Sequence, residues 1–232
     1  MKYIKLTAVF ALVTLLVFST ACARLDVVGS YSAQSFEAVL KVADDKVSVD
    51  EQNAGWSLAA PDGTVRFVWS ADYSKSPLYD VLLAFDASPF INAGLIPDNL
   101  PDNYTVEGDV ILVGSKLGKD SPRNQAQTTP LAAYRQLADS FDSIIGYHSA
   151  MDHYNVDMGD GNLFEWAKDL DVNTVDNSNQ DKDIVFVLNP EPLILAGVDP
   201  QRVEGWVYAT VTMGMGATAQ EVYKFLKPFD LK

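Results

Sequence analysis

The chain repeats one pattern of hydrophobic and polar positions about a hundred residues apart. Residues 80–101, DVLLAFDASPFINAGLIPDNLP, align without gaps with residues 183–204, DIVFVLNPEPLILAGVDPQRVE, and six positions are identical. Most of the other apolar positions exchange one apolar side chain for another. Unrelated segments of this length share about one or two identities. The repetition therefore predicts a tandem duplication.

The same periodicities predict the same elements in each copy. Pro61-Asp62-Gly63 predicts a turn between two β-prone runs, and the Pro-x-Ile-x-Ala-Gly motif predicts a short helical turn that ends at a glycine. An apolar stripe from Leu131 to Ile145 predicts a helix that starts at Thr129-Pro130 and ends at Gly146. In the first copy the predicted elements are a helix at 36–43 capped by Ser35, an irregular segment at 44–53, and strands at 56–60, 64–70, 78–85, 104–106 and 110–113. In the second copy, residues 140–145 are matched with residues 35–40, strands are predicted at 184–188 and 206–210, and a short closing helix is predicted at 220–228.

These elements predict the fold class. We expect an α+β protein made by tandem duplication of a helix–hairpin–strand–turn–strand unit, with mostly antiparallel sheet and a pseudo-two-fold relation. The predicted divisions are a lipoprotein signal segment at 1–22, a tether at 23–34, a first repeat unit at 35–118, a linker at 119–129, and a second repeat unit with a C-terminal extension at 130–232. Whether the copies share one sheet or form two domains is left open by the pattern.

The first 22 residues have the features of an export signal. Lys2 and Lys5 precede an apolar run at 8–18 that is too short to span a bilayer, and small residues precede Cys22. This pattern predicts a bacterial lipobox, with Cys22 lipidated and the protein held at the membrane of the cell envelope. Cys22 is the only cysteine, which favours this role because an exported protein gains little from one unpaired thiol. The alternative is a secreted protein cleaved at Ala21-Cys22-Ala23.

The charge excludes one class of partner. Without the signal segment, the chain has 15 basic and 31 acidic residues, a net charge of −16. Such a surface repels the phosphate backbone, so we expect no nucleic-acid partner.

The most specific paired motif is D-G-x-x-(x)-F-x-W-x-x-D. Trp69 and Trp166 are candidate ligand-binding platforms, for example for a sugar ring, with Asp72 and Asp169 as polar partners. The alternative is that the aromatic side chains belong to the core, since aromatics at alternate strand positions usually pack inside. For the Pro-x-Ile-x-Ala-Gly motif, a structural elbow is the favoured interpretation over a ligand site.

The candidate metal ligands do not form a recognisable site. His148 and His153 stand near Asp152, Asp157 and Asp160, but a five-residue spacing along one strand would place the two rings on opposite faces. Calcium is considered for the acidic stretch 152–183, where the EF-hand spacing fails. We therefore predict no metal and no cofactor, with calcium as the only one left open.

No motif for covalent catalysis is present. The sequence has no G-x-S-x-G and no S-x-x-K, so the remaining catalytic candidates are carboxylate pairs, namely Asp62 with Asp72 and Asp160 with Asp169. The sequence predicts an extracytoplasmic lipoprotein that binds a small molecule, a glycan or a protein without catalysis. A secreted, glycan-directed hydrolase that uses carboxylates and a structural envelope component are the alternatives.

Overall fold

The computed structural model describes residues 28–118, 121–170, 182–213 and 219–231, with two antiparallel six-stranded sheets and four helices. The first copy contains α1 (28–42), β1 (Val47–Asp50), β2 (Gly55–Ala59), β3 (Val65–Ser70), β4 (Val81–Asp86), α2 (Ser88–Asn92), β5 (Tyr104–Glu107) and β6 (Val110–Ser115). The second copy contains α3 (Pro130–Ser140), β7 (Ile145–His148), β8 (His153–Asp157), β9 (Leu163–Ala167), β10 (Ile184–Leu188), α4 (Pro190–Leu195), β11 (Val207–Met213) and β12 (Gln220–Phe229).

The two sheets have the same topology. Their strand orders are β1-β2-β3-β4-β6-β5 and β7-β8-β9-β10-β12-β11, and a helix precedes the first strand of each. In each copy a short helix also follows the fourth strand. The predicted α+β class, the duplication and the antiparallel pairing are confirmed.

The inner faces of the two sheets share one hydrophobic core. The rings of Phe67 and Phe164, which occupy equivalent positions on β3 and β9, stack with centroids 4.4 Å apart and planes 6° apart. Phe36 on α1 contacts both Trp69 and Trp166, at centroid distances of 5.4 and 5.2 Å. The copies therefore form separate sheets around a common interior, with α1 packed against both.

The repeated Pro-x-Ile-x-Ala-Gly motifs meet each other, as the elbow interpretation requires. The amide of Ile96 donates to the carbonyl oxygen of Ala196 at 2.8 Å, and the amide of Asp199 donates to the carbonyl oxygen of Ala93 at 2.8 Å. Ile96 and Asp199 are equivalent positions, so the two bonds are related by the pseudo-two-fold. The most strongly repeated stretch of the sequence is thus the crossing point of the two copies.

A repeated aspartate fixes the end of the last strand in each copy. The Asp80 carboxylate accepts the amide of Leu117 at 2.8 Å, and the Asp183 carboxylate accepts the amide of Leu231 at 2.8 Å. Asp80 is also paired with Lys116 at 2.7 Å. The identity of these two positions therefore has a structural cause.

Five local predictions differ from the structure. The helix predicted to end at Gly146 ends at Ser140, and Ile145–His148 form β7. Residues 28–34, where a tether was predicted, continue into the helix, so Ser35 is an interior helical residue and not a cap. Residues 47–50, within the segment predicted to be irregular, form β1. Helix α3 corresponds to α1, so the match of residues 140–145 with residues 35–40 is wrong. The predicted helix at 220–228 is strand β12, because its apolar side chains alternate between two faces. Phe225 and Phe229 point to the shared core, while Val222 and Leu226 point to the other side of the sheet.

The described part of the chain has no helix that is both long enough and apolar enough to cross a bilayer.

Candidate functional site

The two predicted aromatic platforms lie inside the shared core. Trp69 and Trp166 are both 0% exposed, and the Trp69 indole N–H donates to the carbonyl oxygen of Pro130 at 3.0 Å. Their strands turn these side chains toward the opposite sheet. Neither ring is therefore open to a ligand from solvent, which agrees with the core interpretation of the motif.

Asp72 and Asp169 have different surroundings. Asp72 is buried, and its carboxylate accepts hydrogen bonds from the backbone of Ser74 at 3.1 Å and from the side chain of Asn124 at 3.3 Å. The Ser74 hydroxyl, followed by the Asn124 amide, holds the pKa of Asp72 below its ordinary value despite partial burial. Asp169 lies exposed after β9. Asp72 is therefore an anchor for the segment that contains Asn124.

That segment, residues 121–129, is tied to the body along its length. The Asn124 side chain accepts the amide of Tyr73 at 3.0 Å, and the amide of Gln127 donates to the carbonyl oxygen of Ala71 at 2.9 Å. The Gln136 side-chain oxygen accepts the amide of Gln125 at 2.8 Å and the side chain of Gln127 at 3.1 Å. The predicted linker thus forms a wall beside α3.

Between this wall and α3 lies a cavity of about 520 Å³, called here the α3 cleft. This volume is in the usual range for small-molecule sites. Most of its lining side chains are polar and include amides, hydroxyls and two guanidinium groups. The lining residues are Pro122, Arg123, Gln125, Gln127, Thr129, Leu131, Ala132, Arg135, Gln136, Asp139 and Ser140.

The two arginines of the cleft are partly engaged. The Arg135 guanidinium donates to the Glu37 carboxylate at 3.0 Å, and the Arg123 guanidinium donates to the carbonyl oxygen of Asp139 at the end of α3. Each guanidinium has five donors, so both retain N–H groups for a further acceptor.

Buried polar atoms at the cleft have no partner among the described residues. These atoms are the Gln136 amide nitrogen and the Ser140 hydroxyl, and the buried Tyr73 hydroxyl, outside the lining, also has none. Burial, followed by the charge of Asp80, raises the pKa of the Tyr73 hydroxyl, so the phenol keeps its proton. Leaving such a group without a hydrogen bond costs about 1–3 kcal/mol, so a ligand or water that bonds to it is favoured.

A second polar cluster lies on the outer face of the second sheet. Glu165 is 1% exposed, and its carboxylate lies 3.2 Å from Nδ1 of His148 and 3.9 Å from Nδ1 of His153. Lys224 is buried beside it, and its ammonium donates to the carbonyl oxygen of Gly161 at 2.9 Å. The equivalent positions of the first sheet, by strand pairing, are Asp50, Gly55, Val68 and Val110. This cluster, called here the Glu165 cluster, is thus a property of one copy.

The ionisation of the Glu165 cluster follows from its contacts. Burial alone would raise the pKa of Glu165, but the hydrogen bond with His148 and the nearby ring of His153 outweigh burial and hold the pKa below its ordinary value. The hydrogen bond to Glu165 raises the pKa of His148. Burial lowers the pKa of Lys224. Glu165 is therefore a carboxylate at neutral pH.

The prediction that the two histidine rings point to opposite faces is wrong. His148 and His153 lie on adjacent strands, directly opposite each other in the β7–β8 ladder, so their side chains share a face. Among the described residues, no three histidine, cysteine or acidic side chains are arranged to hold a metal ion. The calcium prediction concerns residues 152–183, of which 171–181 lie outside the described residues.

The two proposed catalytic carboxylate pairs are not arranged as pairs. Asp62 and Asp72 flank opposite ends of β3, and Asp160 and Asp169 flank opposite ends of β9. Strands of this length span roughly 17–20 Å, well beyond the 5–10 Å that separate the carboxyl groups of glycosidases. Asp62 is instead paired with Lys227 at 2.7 Å. The structure offers no support for hydrolysis by these residues.

Sequence reasoning missed both polar sites. The α3 cleft depends on Gln136, which interrupts a helical face, and on the amide-rich run at 123–127. The Glu165 cluster depends on an acid placed between Phe164 and Trp166, where alternation assigns it to the other face of the strand. The position of that acid was not a sufficient signal, because nothing in the sequence shows how the outer face becomes buried.

No protein-family model matches the chain, and no match was found among curated proteins or among solved structures.

Proposed function

We propose that this chain is an exported bacterial lipoprotein, anchored through Cys22, whose duplicated body binds a small polar ligand in the α3 cleft without catalysis. The main support is the pair of buried, unpartnered polar atoms on Gln136 and Ser140, two residues that line a cavity of ligand size. Natural structures leave few such groups unsatisfied, and those that remain are frequently completed by water or a ligand.

The lining favours an uncharged, hydroxyl-rich ligand such as a mono- or disaccharide. Amide and hydroxyl side chains both donate and accept, as sugar hydroxyls do, and the remaining guanidinium donors of Arg123 and Arg135 suit ring and hydroxyl oxygens. A strongly anionic ligand is disfavoured because the mature chain has a net charge of −16.

Ligand binding is expected to raise the melting temperature of the protein. A sugar present at 100 times its dissociation constant stabilises the native state by about 2.7 kcal/mol. For a domain of this size, that stabilisation corresponds to a shift of roughly 5–10 °C. The measurement is a thermal-shift screen of the full chain in detergent against a panel of neutral mono- and disaccharides.

Three variants localise the effect. Ser140→Ala removes one unpartnered hydroxyl and leaves the 121–129 wall in place, so it is expected to weaken binding several-fold. Gln136→Leu is expected to abolish binding, because it removes both the unpartnered amide and the anchor of the wall. Gln201→Leu, at an exposed glutamine of the elbow, is the matched control and leaves the shift unchanged. The proposal fails if no sugar stabilises the protein, or if Ser140→Ala and Gln136→Leu respond as the wild type does. A protein that binds none of them would instead fit a structural envelope component.

Anchoring is tested separately. Cys22→Ala removes the only thiol that can receive lipid, so the variant is expected to move from the membrane fraction to the soluble extracytoplasmic fraction. Fractionation followed by immunoblotting measures this change, and Ser19→Ala is the control that keeps the thiol. If the Cys22→Ala variant and the wild type distribute identically, the anchor is not at Cys22. Cleavage of the signal segment at the Ala21-Cys22-Ala23 site then becomes the better account.

A further inference from the structure

The β11–β12 hairpin extends beyond the sheet to which it belongs. Only the last five residues of β12 pair with β10, while residues 220–224 pair with β11 alone. β11 and β7 are opposite edges of the second sheet, yet Nε2 of His148 on β7 lies 2.6 Å from the carbonyl oxygen of Thr212 on β11. The end of the hairpin, residues 209–213 and 219–224, therefore folds across the outer face of the sheet and is called here the hairpin tip.

The hairpin tip covers an apolar surface. Val211 on the tip is 3% exposed, and Ala209 and Val222 pack beside it. Together they cover side chains of the outer face that include Leu163 and Val185. This cluster is separate from the shared core. Lifting the tip would expose it to solvent without opening the interior between the sheets.

His148 holds the tip through two partners that can only accept hydrogen bonds. Its Nδ1 lies 3.2 Å from the ionised carboxylate of Glu165, and its Nε2 lies 2.6 Å from the carbonyl oxygen of Thr212. A neutral imidazole has a single N–H, so it satisfies one acceptor and turns a lone pair toward the other. Only the doubly protonated imidazolium donates to both.

We propose that protonated His148 is a latch that closes the hairpin tip over the second sheet, and that loss of the proton releases the tip and exposes the apolar face beneath it. This device makes the accessible surface of the second copy depend on pH. The first copy has no equivalent, because the positions equivalent to His148 and Glu165 are Asp50 and Val68.

The other charged groups around His148 do not provide the same switch. His153 on β8 and Lys224 on β12 face Glu165, Lys224 also faces Asp157, and Lys224 can donate to Gly161 whether charged or neutral. Glu221 on β12 alternates with Val222 and points to the opposite face of the hairpin. Residues 214–218, MGMGA, contain no ionisable side chain.

The pH window follows from the two partners of the latch. Glu165 raises the pKa of His148 above 6.5, so the latch contributes fully below pH 6.5 and is lost as the pH rises through the raised value. The pKa of Glu165 lies below 4.5, so its contribution is present above pH 4.5 and is lost as the pH falls through the lowered value. The latch therefore contributes fully between about pH 4.5 and 6.5, and the tip opens as the pH rises through the raised pKa of His148.

Hydrogen exchange measured by mass spectrometry tests this inference on the full chain in detergent. After correction for the intrinsic pH dependence of exchange, amides of residues 207–213 and 219–224 are expected to lose protection as the pH rises from 6.5 through the raised pKa of His148, by up to about tenfold per pH unit, with no further loss above it. Amides of β3 and β4 are the internal reference and keep their protection.

Two variants identify His148 as the group responsible. His148→Gln is neutral at every pH, so its tip protection is expected to be independent of pH, while Gln201→Leu, at an exposed position of the elbow, keeps the wild-type profile. If His148→Gln does not fold, Glu165→Gln is used, since loss of the negative charge shifts the opening to lower pH. Tip protection that is constant from pH 5.5 to 9 in the wild type overturns the inference. The inference is also overturned if the His148→Gln variant keeps the pH profile of the wild type. It is overturned as well if tip protection at pH 9 depends on added Zn²⁺.

Discussion

Gly94→Ala is expected to lower the free energy of unfolding by about 3–5 kcal/mol, a large fraction of the stability of a typical domain. Gly94 has a φ of +108°, a backbone conformation that residues with a side chain rarely adopt. A Cβ atom there would lie 2.7 Å from the carbonyl oxygen of Gly197. The obstacle is backbone of the other copy, held by the reciprocal Ile96 and Asp199 bonds, so it cannot rotate away. Urea unfolding measures the loss.

Gly63→Ala is the matched control for this prediction. Gly63 also has a positive φ, +72°, but a Cβ atom there has no neighbour within 4 Å among the described residues. The control is expected to lose only the conformational cost, about 1–2 kcal/mol. If Gly94→Ala costs no more than Gly63→Ala, the crossing of the two elbows is not a tight contact in the folded protein.

Asp80→Ala is expected to cost about 2–4 kcal/mol. The Asp80 side chain is fully buried, and its carboxylate accepts from the Lys116 ammonium at 2.7 Å, the Leu117 amide at 2.8 Å and the Ser76 hydroxyl. Removing one partner of a buried pair typically costs about 3–5 kcal/mol, and the lower range applies because Lys116 is one-third exposed.

Two controls separate the loss of the buried Asp80 charge from the general effect of removing an acid from the surface. Asp80→Asn keeps the shape and one acceptor and is expected to lose less than the alanine variant. Asp98→Ala removes an exposed acid and is expected to stay within about 0.5 kcal/mol of the wild type. An alanine variant as stable as the Asp98 control would show that the Asp80 network does not stabilise the fold.

The elements with strong local signals were predictable. Pro61-Asp62-Gly63 specifies its hairpin turn, and the proline and glycine of each elbow limit the short helix to one or two turns. Two copies of the same signals support each other, which is why the duplication could be inferred. Residues 220–229 were mispredicted because both faces of the strand carry apolar residues, Phe225 and Phe229 on one and Val222 and Leu226 on the other, so apolar and polar residues do not alternate.

The candidate sites were beyond local reasoning, because both depend on contacts between distant segments. Gln136 becomes part of a cleft only when residues 121–129 fold against α3, an arrangement fixed by Asp72 and Asn124. His148 becomes a latch only because Thr212 reaches across the sheet from the opposite edge. The sequence motif with Trp69 and Trp166 predicted packing positions well, but it did not predict where the polar chemistry lies.

The central claim is that two copies form one body around a shared core, so that neither sheet is stable alone. Site-resolved hydrogen exchange of the Asp80→Ala variant tests it most directly, because the substitution lies in the first copy and the response can be read in the second. The account predicts that the amides of Phe164, Trp166 and Phe186 lose as much protection as those of Phe67 and Leu83. Unchanged protection in the second copy, with loss confined to the first, would contradict it.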